Sequence, residues 1–163
     1  MYKQKSEIIQ SIQTYHIQVA QLYLKIYEKL EDGEMKEIIH DLYEHEIFRK
    51  NYLERHVIIA KAMNCYLEFP CEILQDQITS CFNNVNFNSS LMMDELINLE
   101  LHFDDCLIKM YNILSAENAL SGEMANIFYY MLKKTKKEEA IFTKLFTKSN
   151  ANIQFELKSL HCV

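Results

Sequence analysis

KIYEKLEDGEMKEIIHDLYEHEIFRK, residues 25–50, contains the break on which the fold turns. Before it run Ile26, Tyr27 and Leu30; after it run Ile38, Ile39, Leu42, Tyr43 and Ile47. Both sets keep the helical spacing of an amphipathic face. Between them stands Asp32-Gly33. Glycine suits a helix end because it takes left-handed backbone angles without a Cβ clash. A connection of two or three residues leaves the flanking helices no choice but to run antiparallel. The same punctuation returns later: Gly33-Glu34-Met35 recurs as Gly122-Glu123-Met124.

Working outward, the 163 residues contain three strong helix breakers, Gly33, Pro70 and Gly122. The stretches between them predict four long helices, at about 4–31, 34–63, 90–115 and 119–148. The first carries the stripe Ile8, Ile12, Tyr15, Val19, Tyr23, Ile26, Tyr27, Leu30. The second continues through Tyr52, Leu53, Ile58 and Ile59. Residues 64–89 are too long for a tight turn and read as a crossover. A short helix at about 71–82 fits within it on Leu74, Ile78, Cys81 and Phe82, before the loop-like run Asn83 to Ser90. Ser89 or Ser90 is expected to cap the third helix, and a weakly apolar tail (Ile153, Phe155, Leu157, Leu160) closes the chain over 149–163.

The two halves align. Shifting the first helix by 84 residues sets Ile12 on Leu96, Tyr15 on Leu99, Val19 on Phe103, Tyr23 on Leu107, Tyr27 on Tyr111 and Leu30 on Leu114. Shifting the second by 89 sets Ile38 on Ile127, Ile39 on Phe128, Leu42 on Met131 and Leu53 on Phe142. Duplicated antiparallel hairpins joined by a long crossover predict an all-α fold, a four-helix bundle in a single domain over 1–163.

Composition narrows the function classes. A net charge of −6 with two arginines, Arg49 and Arg55, gives no basic face for a phosphate backbone. The run Lys133-Lys134-Thr135-Lys136-Lys137 passes at once into Glu138-Glu139, as a solvated helix face does. No apolar run approaches the roughly 18 residues of a membrane span. The first ten residues, MYKQKSEIIQ, lack the apolar core of an export signal, so a cytoplasmic protein is expected. Cys65, Cys71, Cys81, Cys106 and Cys162 form no Cys-x-x-Cys pair and read as reduced, buried thiols. With two glycines there is no phosphate-cradling loop, and no nucleophile elbow is present.

At HIQVAQLYLKIYEKL (16–30) and YEHEIFRK (43–50) the chain resembles the ferritin-like superfamily, in particular its rubrerythrin-like branch. The likeness is clearest over 8–56 and 90–146. It implies a ferritin-like bundle in which a Glu from each of two helices and a Glu-x-x-His from each of the others hold two iron or manganese ions. Carried over residue by residue, that pattern is depleted. The first-helix Glu position is Ala20, with His16 one turn away. Glu46 keeps its carboxylate, but the His position is Arg49. The third-helix position falls on Asp104, or on Glu100 one turn earlier. In the fourth helix the literal shift gives Thr135 and Glu138; slips give Lys136 and Glu139, or Glu139 and Phe142, and none supplies a histidine. The intact Glu37-Ile38-Ile39-His40 lies near the turn, level with Tyr27, and reads as coincidence.

A cluster of core carboxylates needs a cation among them. Arg49, with Lys136 as a possible helper, is the candidate to replace the metal by pairing with Glu46, Asp104 or Glu100, and Glu139; the plain alternative is that Arg49 and Glu139 face solvent. Two main readings follow. The first is a ferritin-like protein without metal or other cofactor, a non-enzymatic structural, partner-binding or small-ligand module. The second is an active di-iron or di-manganese carboxylate protein on a rearranged set of His16, Glu46, Glu100 or Asp104, and Glu139. A haemerythrin-like carrier finds only His40 and Glu44 at a suitable step. Ile127 to Leu132 are apolar around most of the fourth helix, which predicts cover by the crossover or by a second subunit, hence a homodimer. Neither nucleic acid nor membrane is an expected partner.

Overall fold

The computed structural model describes residues 2–31, 33–62, 66–68, 71–83, 85, 91–116 and 122–147. The elements are β1 (Tyr2–Gln4), α1 (Lys5–Lys29), α2 (Glu34–Ala62), β2 (Tyr66–Glu68), α3 (Cys71–Phe82), α4 (Met93–Ala116) and α5 (Gly122–Thr147). Apart from two strands of three residues each, the regular structure is all helix. Contacts divide the chain into two compact units, one built on α1 and α2, the other on α3, α4 and α5.

In the first unit α1 packs along α2. Their pairing is antiparallel: Gln13 Nε2 donates to the Lys50 carbonyl (3.3 Å), His16 meets Glu46, and further along the Tyr27 and His40 rings lie 5.8 Å apart. The α1 stripe Ile8, Ile12, Tyr15, Val19 and Tyr23 is buried almost completely, as are Ile38, Ile39, Leu42 and Leu53 on α2. At the turn, the Gly33 carbonyl accepts from the N–H groups of Lys36 and Glu37, so Gly33 caps the start of α2, whereas α1 has already ended at Lys29. Its φ of 157° is one that L side chains rarely adopt. Glu34 and Glu37 in the first turn of α2 complement the positive end of the helix dipole.

In the second unit α3 and α5 each pack on α4. Phe82 meets Phe103 at 5.4 Å between ring centres, and Tyr111 stacks on Phe128. The buried stripe of α5 runs Met124, Phe128, Met131, Thr135, Glu138, Phe142, alternating steps of four and three. That phase corrects one expectation. Glu138 is the buried carboxylate of α5, whereas Glu139 is partly exposed and Lys136 exposed.

Two further expectations change. α4 starts at Met93, with Met92 as its N-cap: the Glu95 carboxylate accepts from the Met92 N–H at 2.8 Å, and the Met92 carbonyl accepts from Leu96. Ser89 and Ser90, expected to cap this helix, lie outside the described residues, as does the apolar tail. The cysteines are not all free thiols, because Cys81 of α3 is disulfide-bonded to Cys106 of α4. A separation of 25 residues has no local signature, and only the docking of α3 on α4 brings the two sulfurs together. Among the described residues no helix is long and apolar enough to cross a membrane.

Candidate functional site

The α1–α2 hairpin buries an ion-pair cluster near its middle. On α2 the apolar positions Leu42, Leu53 and Val57 fix the inward face, and helical phase places His45, Glu46 and Arg49 on it. On α1, His16 lies next to Tyr15 on the buried stripe, and the two rings meet edge to face. All four polar side chains are at most 5% exposed. Arg49 Nη1 donates to Glu46 Oε1 at 2.7 Å, and His16 Nδ1 lies 2.7 Å from Glu46 Oε2. Each carboxylate oxygen therefore has its own partner.

Charge follows from this geometry. Burial on its own pushes the Glu46 carboxyl up. The Arg49 guanidinium first, then the charge and hydrogen bond of His16 and the charge of His45, outweigh it and hold Glu46 at about 2 instead of 4.5. Glu46 is thus ionised and can only accept, so the proton in its bond with His16 belongs to Nδ1. A carboxylate held at about 2 is a weak base near neutrality and a poor choice for general-base work.

The residues do not fit the two-metal centre that the resemblance implies. Ala20 is buried and offers only a methyl group. The Arg49 guanidinium sits 2.7 Å from the Glu46 carboxylate, where it would repel a divalent cation. Among the described residues no three His, Cys, Asp or Glu side chains gather closely enough to hold a metal ion.

The other candidates belong to the second unit. Glu100 and Asp104 are buried on α4, one turn apart, and Thr135 and Glu138 are buried on α5. Lys134 Nζ stands 4.0 Å from Glu138 Oε1. His40, His102 and Glu44 are exposed, His56 is half-buried, and none of them joins the cluster at Glu46. His45 is a buried polar residue outside the candidate set that the sequence supplies. His45 was readable from the stripe, since it stands three residues after Leu42.

No family model, curated protein or solved structure matches this chain.

Proposed function

We propose that this chain is a ferritin-like four-helix protein in which a buried ion pair has replaced the di-metal centre. In this reading it acts as a non-enzymatic structural, partner-binding or small-ligand module. The observation that carries the reading is the saturation of Glu46: one oxygen is held by Arg49 and the other by His16, both at 2.7 Å. A carboxylate buried with a cation has its charge balanced by the protein, and metal binding would have to displace a guanidinium. The repeated Gly-Glu-Met punctuation and the run Tyr27-Glu28-Lys29-Leu30 support the ferritin-like, rubrerythrin-like assignment.

The partner half of the proposal rests on exposed apolar side chains. Phe48 and Ile58 are exposed on α2, around an open depression that also carries Asn51, Tyr52, Glu54 and Arg55. Tyr129 and Tyr130 are about half exposed on α5. Aromatic side chains and arginine are the types enriched at protein interfaces. The occupant we propose is a second copy of the chain, giving a homodimer, and the compartment we propose is the cytoplasm.

The second reading, an iron or manganese carboxylate protein, draws on the buried contact between one imidazole and one carboxylate, His16 and Glu46. One experiment separates the two. The protein is purified without added metal, its mass in solution is read by light scattering, and its iron and manganese are counted. We expect a dimer with far less than one equivalent of either metal per chain. Close to two equivalents per chain, lost on Glu46→Ala, would establish the second reading, and a monomer would remove the homodimer.

A further inference from the structure

We propose that Cys81 and Cys106 form a reversible redox pair that staples α3 to α4. The pair lies within the second unit and is independent of the ion-pair cluster on Glu46. The two Cα atoms are 6.1 Å apart, a separation natural to a disulfide. Beside the bond, His102 Nε2 lies 2.8 Å from the Cys81 carbonyl oxygen. A carbonyl only accepts, so Nε2 carries the proton. The same nitrogen is 3.9 Å from Cys106 Sγ, one helical turn along α4. His102 is exposed, whereas both cysteines are buried, at 2% exposure for Cys81 and 6% for Cys106. Cys106, beside the exposed His102, is the sulfur at which exchange is placed to start.

What the bond controls is the docking of α3. This helix has 12 residues, too few to be stable alone in water. It buries Leu74, Ile78 and Cys81 and leaves Ile73 about half exposed. Its ties to α4 include the Phe82–Phe103 ring contact and the His102 hydrogen bond. Closing the bond fixes the helix, and opening it leaves a short amphipathic helix on weak anchors.

The exchange balances with a small-molecule disulfide as oxidant. The Cys106 thiolate attacks one sulfur of that disulfide, whose S–S bond breaks and releases one small thiolate. The Cys81 thiol gives its proton to water, and its thiolate attacks Cys106 Sγ in the mixed disulfide. The second small thiolate leaves, and both leaving thiolates take up protons. Two protein thiols are oxidised and one external disulfide is reduced to two thiols. A dithiol reductant runs the sequence backwards.

The test uses the full chain poised in graded mixtures of reduced and oxidised glutathione. Alkylation and peptide mapping read the Cys81–Cys106 link, and amide hydrogen exchange reads residues 71–82. The link is expected to form and open reversibly across the series in the native protein. On reduction, exchange in α3 should rise on the order of a hundredfold, as expected for releasing a loop of this length. Exchange in α1 and α2 should not move. A Cys106→Ser variant should show the reduced pattern in every mixture; if it fails to fold, the wild-type series alone decides. The proposal falls if the two cysteines remain thiols or pair elsewhere, if the native bond resists both glutathione and dithiothreitol, or if exchange in α3 is the same in both states.

Discussion

Both oxygens of the buried Glu46 carboxylate are committed within the protein. A metal ligand keeps its oxygens for the ion; here one oxygen is taken by Arg49 and the other by His16. The consequence for stability has a definite sign. Because its pKa falls from 4.5 in the open chain to about 2 in the fold, Glu46 stabilises the protein above about pH 4.5. That contribution is lost as pH drops from 4.5 towards 2, and a shift of this size corresponds to about 3 kcal/mol. Unfolding free energies of the wild type and Glu46→Gln should therefore converge by about that amount between pH 5 and pH 2. A gap that stays constant across this range would mean that the carboxylate does not titrate as the geometry requires. At this scale Arg49 was readable, since it stands three residues after Glu46 on one helical face. The choice between Glu138 and Glu139 was not readable, because a slip of one residue turns a helix by about 100° and the flanking lysines give no apolar anchor to fix it.

At the scale of elements, the four long helices lie within three residues of their expected ends, because a stripe of large apolar side chains leaves little freedom in phase. The joints were less legible. Gly33 and Gly122 look alike in sequence, yet Gly33 adopts a φ of 157° as the cap of α2, whereas Gly122 opens α5 with no such angle. A Cβ at either position would meet nothing within 4 Å, so backbone conformation alone separates them. Gly33→Ala should cost about 1–2 kcal/mol through strain. Gly122→Ala should be neutral or stabilise by about 0.5 kcal/mol. Thermal melts of the two variants check this, and equal shifts would remove the distinction. The link between α3 and α4 was illegible for a different reason. Helix periodicity predicts which face is buried, but not which element covers it, and cysteines 25 residues apart carry no code for pairing.

For the molecule as a whole, the buried charge of Glu46 is balanced from within the core by Arg49, which under the proposed function stands in place of a metal. Burial makes that pairing expensive to break. Removing only the cation from a buried pair strands a desolvated carboxylate and costs about 3–5 kcal/mol. An exposed pair of the same chemistry is worth at most about 1 kcal/mol. The first unit contains both kinds: Arg49 with Glu46 at 3% and 2% exposure, and Lys50 with Glu54 at 27% and 56%. Denaturant titration of Arg49→Met, with Lys50→Met as its internal control, is the most direct test. The first variant should lose about 3–5 kcal/mol in global stability and the second no more than about 1 kcal/mol. Equal, near-zero losses would contradict this pairing, and would mean that the guanidinium does not hold the place of a metal in the core.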